Sequence, residues 1–133
     1  MSVTTPESIE MVDGHYFFPE RACAYLVNAG DEAAFVDNIT RFSVPYLLET
    51  LEQQGLKPEQ VRYAIVTHIH LDHSGGTAEL IKYCPNATVL CHPKAEAHII
   101  DPSKLVAGAR SVYAGEFDEL YGEIEPVDAN RVR

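Results

Sequence analysis

Four side chains that commonly bind metal ions lie within six residues of the chain. The segment reads His68-x-His70-x-Asp72-His73 and directly follows the apolar residues 63–67. Where a strand end stays extended, residues i and i+2 point to the same side, so His68 and His70 can offer two imidazoles to one cation. A turn after them can bring Asp72 and His73 to a second position. This spacing predicts a metal site.

The ligand types narrow the choice of metal without identifying it. Neutral imidazole nitrogen and carboxylate oxygen suit Zn²⁺, and they also suit iron or manganese. We expect zinc first, with one or two ions bound. Any one of these histidines could instead be a solvated loop residue or a helix cap, but four such side chains in one short loop favour metal binding. Gly75 and Gly76 follow, and glycine lets the backbone pass close beneath such a loop.

The sequence before the loop predicts strands and a helix. Short apolar runs, with a turn at residues 28–31, are typical of a β-meander. The predicted strands are residues 9–12, 22–27 and 33–37. Apolar residues at helical spacing then predict a helix that ends before Gly55, and residues 58–60 look like a single helical turn.

The histidine loop itself lies inside a predicted βαβ unit. Residues 63–67 are a nearly continuous apolar run, which suits a strand buried on both faces. A helix is expected at residues 77–83 and the next strand at residues 88–91. The remaining elements are predicted helices at residues 94–100, after the Asp101-Pro102 cap and within residues 112–121, and a loop at residues 123–133. The predicted fold class is α/β (α+β), a mixed sheet with flanking helices.

Composition and charge exclude several classes of protein. The length of 133 residues fits one domain, residues 1–133, and no stretch approaches the roughly 20 apolar residues of a transmembrane helix. The first twenty residues carry four acidic side chains and no Lys or Arg, unlike a secretory signal, so we expect a cytoplasmic protein. A formal charge of −10 would repel nucleic acid. Three cysteines without CxxC spacing predict reduced thiols, not a disulfide framework.

At these residues the chain resembles the metallo-β-lactamase superfamily of hydrolases. Residues 67–76, THIHLDHSGG, are similar to that family's signature loop, and the preceding meander, helix and apolar strand come in the matching order. More narrowly, the chain resembles the glyoxalase II-like hydrolases. The resemblance implies the N-terminal half of an αββα sandwich, in which two mixed sheets face each other and a dinuclear metal site lies at the strand ends.

The resemblance also implies a role for each member of the loop. His68 and His70 would bind the first metal, and Asp72 and His73 the second. Asp72 could also relay a proton where only one metal is bound. Two cations about 3.5–4 Å apart can lower the pKa of a bridging water towards about 7. The implied chemistry is hydrolysis of a small-molecule thioester, ester or lactone.

Three side chains outside the loop are further candidates. Asp37 matches a family aspartate that supports the ligand loop, but residues 38–40 (NIT) stand here in place of the usual Thr-Gly. His92 follows the strand at residues 88–91 and would share a sheet edge with His68 if the strands are parallel; it could equally belong to a strand-ending turn. His98 lies in a helical segment that resembles a lid, where it could contact substrate or simply be solvated.

The ligands that the family normally adds later have no counterpart in this sequence. The resemblance implies a third histidine some sixty or more residues after the loop, then a bridging aspartate and a later histidine, whereas no histidine follows His98. A catalytic zinc usually has three protein ligands, and each half-site here offers two. We therefore expect a chain truncated relative to a parent hydrolase, with little or no activity of its own. The uncovered sheet face could be buried by a second copy in a homo-oligomer.

Two other functions stay open. A mononuclear iron relative that oxidises persulfides shares this loop, so an oxygenase is one alternative. A non-catalytic binding or assembly module on the same fold is the other. Neither nucleic acid nor a membrane is expected as a partner, because the chain is acidic and has no long apolar stretch.

Overall fold

A single mixed sheet organises the chain. The computed structural model describes residues 8–13 and 23–133, and for residues 8, 13, 72, 113, 114, 119 and 120 it describes the backbone alone. The strands are β1 (Ser8–Asp13), β2 (Cys23–Asn28), β3 (Ala33–Val36), β4 (Val61–Ile65) and β5 (Thr88–Leu90). Their order is β1-β2-β3-β4-β5, antiparallel from β1 to β3 and parallel from β3 to β5. The predicted meander, the βαβ unit and the fold class are confirmed.

Helices connect the parallel strands and follow the last one. They are α1 (Val44–Gln53), α2 (Leu71–Ser74), α3 (Thr77–Tyr83), α4 (Pro93–Ile100), α5 (Ser103–Tyr113) and α6 (Phe117–Leu120). Helix α1 begins with a proline in its first turn, where the missing N–H costs nothing, and it buries Leu47 and Leu51. Helix α3 has the predicted bounds and buries Leu80. None of the helices in the described ranges is long and apolar enough to cross a membrane.

The core lies between the helices and one face of the sheet. Leu26 on β2 is the cross-strand partner of Phe35 on β3, and both are 0% exposed. Phe35 in turn pairs with Ala64 on β4, which pairs with Val89 on β5. These side chains are all buried, and we call this side of the sheet the covered face.

The opposite side of the sheet, the open face, carries two rows of cross-strand partners that are almost entirely apolar. One row runs through Ile9, Val27, Ala34, Tyr63 and Thr88; the other runs through Met11, Tyr25, Val36, Ile65 and Leu90. Ile9 is 63% exposed and Met11 68%. Among residues 8–13 and 23–133 the strands form this one sheet, and no second sheet lies over the open face. The strands are therefore apolar on both sides, but the described structure buries only the covered face.

The prediction that the strand at residues 63–67 is buried on both faces is wrong for the described structure. Tyr63 is 41% exposed because it belongs to the open face. The strand also begins and ends two residues earlier than predicted, so Thr67 lies outside it. Ala22, the predicted start of the second strand, lies outside the described residues.

Two predictions for the C-terminal third are also wrong. The helix expected within residues 112–121 is interrupted, since α5 ends at Tyr113 and a tight turn over Ala114–Glu116, containing the poor helix former Gly115, separates it from α6. The tail expected to be a loop pairs with the sheet: the Arg133 N–H donates to the Val89 carbonyl at 2.8 Å, and the Cys91 N–H donates to the Arg133 carbonyl at 3.1 Å.

Candidate metal centre

The predicted ligands lie where two parallel strands end. The C-terminal ends of β3 and β4 meet at the same edge of the sheet, because the two strands run side by side in the same direction. Residues 37–40, the Asp37 loop, follow β3 directly. Residues 66–76, the histidine loop, follow β4 and include the short helix α2. The fold therefore places two chemically distinct loops against each other.

Three imidazoles of the histidine loop lie together. The ring centroid of His68 is 3.9 Å from that of His73 and 5.2 Å from that of His70. His68 and His70 are exposed and His73 is half-buried. One potential ligand atom from each of Asp37, His68 and His73 lies within 4.8 Å of the other two. These three side chains form a candidate metal-binding group.

Asp72 lies within α2, but its side chain is outside the described residues. Its predicted roles as a metal ligand and as a proton relay therefore stay predictions. The backbone at this position is ordered into a single helical turn in which the His73 N–H donates to the His70 carbonyl at 2.8 Å. The motif is thus partly helical, where the sequence predicted an irregular turn.

The carboxylate of Asp37 contacts two residues of the histidine loop. Its largely buried carboxylate accepts the Thr67 backbone N–H at Oδ1, at 2.9 Å, and lies 3.1 Å from the Nδ1 atom of His73 through Oδ2. An ionised carboxylate can only accept hydrogen bonds, so Nδ1 of His73 carries the proton. A carboxylate that contacts one ring nitrogen in this way orients the imidazole, as carboxylates commonly do for histidine ligands of metals. The supporting role expected for Asp37 stays a prediction that these contacts fit.

Asn38 clamps the two loops together, a role that the sequence did not reveal. Its side chain is buried, accepts the Gly76 N–H at Oδ1 and donates from Nδ2 to Oγ1 of Thr77, each at 2.8 Å. Its own N–H donates to the His73 carbonyl at 3.0 Å. The only sequence signal was its departure from the usual Thr-Gly pattern after Asp37.

The turn after Asp37 uses a conformation that non-glycine residues rarely adopt. Asp37 has φ 63° and Ile39 has φ 66°, both in the left-handed region. Ile39 thus occupies, with a β-branched side chain, the place where the family pattern has glycine, and it is 0% exposed. Such strain persists only where the surroundings hold the backbone in place. Here the Gly75 N–H donates to the Ile39 carbonyl at 3.0 Å.

Gly76 makes the close approach of the loops possible. A Cβ atom at this position would lie 2.6 Å from the Thr40 carbonyl oxygen, a distance that no side chain tolerates. A Cβ atom on Gly75 would meet the Leu71 carbonyl oxygen in the same way. The expectation that these glycines let the backbone pass close beneath the loop is confirmed.

The other two candidate histidines, His92 and His98, lie at the start of helix α4 and within it. His92 follows β5, which is parallel to β4, so it lies at the expected sheet edge. Its Nδ1 accepts the Lys94 N–H at 3.1 Å and caps helix α4. His98 lies on α4 and lines a cavity of about 20 Å³ beneath α2, together with Leu71. Contact of either histidine with a substrate stays a prediction.

Comparison with known proteins agrees with this fold. The sequence model described as "Metallo-beta-lactamase superfamily" matches residues 20–132. A coenzyme F420H(2) oxidase from Methanothermobacter marburgensis is 31% identical over 106 residues, covering 75% of this chain and 26% of the relative. A hydroxyacylglutathione hydrolase from Synechococcus sp. is 32% identical over 92 residues, covering 68% of this chain and 34% of the relative.

Solved structures show the same architecture. An archaeal metallo-beta-lactamase superfamily protein from Sulfolobus tokodaii superposes with a TM-score of 0.71 at 24% identity, over 95% of this chain and 47% of that one. The mixed sheet with its helices, and a candidate metal-binding group at the strand ends, define an α/β class of fold. The chain belongs to the metallo-beta-lactamase superfamily. It spans about a third or less of the curated relatives described above and about half of the archaeal structure.

Proposed function

We propose that this chain supplies the N-terminal part of the metal centre of a metal-dependent hydrolase. The observation that carries the proposal is the cluster of three imidazoles at the ends of β3 and β4, with His73 oriented by Asp37. Neutral imidazoles held in one tautomer by a carboxylate are a donor set that fits Zn²⁺, and iron or manganese as well. Zinc is the first choice.

Some of these residues would bind the metal, and others would orient the ligands. His68 and His70 would hold one ion, and His73 with Asp72 a second. A bound ion acts as a Lewis acid that makes water more acidic and polarises a carbonyl oxygen. The chain's own groups prepare for this: Asp37 keeps the proton of His73 on Nδ1, and α2 fixes the backbone between His70 and His73. Asp72 is proposed to accept and return a proton.

The proposed substrate is a small molecule with a thioester, ester or lactone bond. The hydrolase among the relatives, which is named for a hydroxyacylglutathione, supports this choice. The oxidase among the relatives favours a second candidate, an iron-dependent oxygen-consuming enzyme. The two differ in the metal that the purified chain retains, zinc for the hydrolase and iron for the alternative.

The proposal includes further ligands from outside this sequence. Each proposed half-site has two protein ligands here, and a catalytic zinc usually has three. We therefore expect the 133-residue chain to bind zinc weakly and below one ion per chain, and to show little or no thioester or lactone hydrolysis.

Zinc titration of the purified chain tests the site. Calorimetry and elemental analysis of the wild-type chain should show weak zinc binding that His68→Ala and His73→Ala each reduce, because each removes a ligand from one half-site. His92→Ala and His98→Ala are matched controls, because they remove an imidazole from elements beside the site, and they should leave binding unchanged. Equal binding by the wild-type chain and the two site variants would overturn the proposal.

The open face favours one partner, a second copy of this chain. Ile9, Met11, Tyr25 and Tyr63 expose 41–68% of their surface on this face, more than a stable monomer usually leaves to water. Light scattering of the wild-type chain should show a dimer or larger species that Met11→Lys shifts towards the monomer. A well-folded monomer without metal would instead support a non-catalytic module.

A further inference from the structure

The hydroxyl group of Thr67 lies between the supporting carboxylate and a second histidine. Its Oγ1 is 2.9 Å from Oδ1 and 2.8 Å from Oδ2 of Asp37. The same Oγ1 is 2.9 Å from Nδ1 of His68. Asp37 also contacts Nδ1 of His73 at 3.1 Å. One carboxylate is therefore linked to two imidazoles, directly to one and through a hydroxyl to the other.

The direction of each hydrogen bond follows from what the groups can donate. An ionised carboxylate has no proton, so the single hydroxyl proton of Thr67 must go to Asp37. The Thr67 oxygen can then only accept from His68, which places the His68 proton on Nδ1. Nε2 of His68 then carries no proton.

We propose that Thr67 is a positioning residue whose hydroxyl group links the Asp37 carboxylate to His68. One buried acid then fixes the tautomers of imidazoles in both half-sites. The inference rests on the proposed metal-binding function and extends it. The carboxylate stays in place without the hydroxyl, because the Thr67 backbone N–H donates to Asp37 at 2.9 Å. The two links can therefore be separated by substitution.

Imidazole ¹⁵N NMR of the metal-free chain tests the relay directly. In their neutral forms, His68 and His73 of the wild-type chain should be mainly protonated at Nδ1. Thr67→Val, which keeps the shape and removes the hydroxyl, should lower the Nδ1–H to Nε2–H ratio of His68 at least about threefold and leave His73 unchanged. Thr67→Ser should restore the wild-type ratio for His68. Thr88→Val, the same change on β5, should alter neither histidine.

Zinc affinity provides the second measurement. Loss of a partner that orients a ligand typically weakens metal binding by about 10- to 100-fold, so Thr67→Val should weaken binding about tenfold and Thr67→Ser less than about threefold. An unchanged His68 tautomer in a folded Thr67→Val chain would overturn the relay, whatever the zinc result. A wild-type chain that binds no zinc but shows the tautomer change would overturn the proposed function alone.

Discussion

The two faces of the sheet have similar apolar residues but opposite environments. On the covered face, Leu26, Phe35 and Val89 are each 0% exposed beneath the helices. On the open face, Met11 is 68% exposed and Tyr25 is 42% exposed. Burying an apolar side chain of this size contributes about 1.5–3 kcal/mol to stability, so the covered face carries most of the hydrophobic stabilisation.

This difference shows which half of the structure positions the metal centre. Asn38 attaches the Asp37 loop to Gly76 and Thr77 at the start of α3, and α3 buries Leu80 in the same hydrophobic core as the covered face. The scaffold of the site is therefore built from elements that are already buried. The open face contributes exposed apolar surface. Substitutions on this face should affect association more than folding.

The largest expected effect is at the centre of the covered face. Phe35→Ala should lower the free energy of unfolding by about 3–5 kcal/mol, because it removes a fully buried ring and leaves a cavity. Tyr63→Ala on the open face is the matched control and should cost less than about 1 kcal/mol. Urea unfolding of both variants in the monomeric Met11→Lys background measures both values. Equal losses would mean that the open face is covered in solution.

The next effect concerns the clamp between the two loops. Asn38→Leu removes both side-chain hydrogen bonds and leaves the Gly76 N–H and the Thr77 hydroxyl without these partners, so it should cost about 1–3 kcal/mol. Amide hydrogen exchange at Gly76 should accelerate accordingly. Asn86→Leu loses one exposed hydrogen bond, to the Glu59 carbonyl, and should cost less than about 0.5 kcal/mol. Similar losses for the two variants would contradict the clamp.

A smaller effect tests the left-handed turn. Ile39→Ala and Ile39→Gly both remove a buried side chain, but only glycine relieves the strain at φ 66°. The glycine variant should therefore be more stable than the alanine variant by about 1 kcal/mol, the reverse of their order in ordinary backbone. Thermal unfolding of the pair decides the sign. An alanine variant that is the more stable of the two would show that the turn carries no strain.

The smallest effect needs no substitution. Burial raises the pKa of the Cys84 thiol from its ordinary 9.0 to about 11. Because the folded pKa is the higher one, its contribution to stability is complete below about pH 9 and is lost as the pH rises towards 11. Iodoacetamide at about pH 8 should spare Cys84 and modify the half-exposed Cys23, as mass spectrometry can show. Equal modification of Cys84 and Cys23 would mean that the core around Cys84 opens readily.

Much of the architecture could be predicted because its signals are local. Helix α3 has the predicted bounds, and the meander and the parallel βαβ unit follow from apolar periodicity and turn residues close together in the chain. The imidazole cluster could be predicted for the same reason, since His68, His70 and His73 lie within six residues. A short motif after a strand needs no distant partner to be recognised.

Contacts between distant segments were decided by the tertiary structure alone. The Asp37 carboxylate meets Thr67 30 residues away, and the Asn38 side chain meets Gly76 38 residues away. The pairing of Arg133 with Val89 uses backbone groups, which leave no pattern in the side chains. The sequence by itself predicted the candidate metal ligands and the strand that they follow. Packing of helices on one face decided how the supporting groups meet, because hydrogen bonds across 30 or more residues form only when burial has brought the loops together.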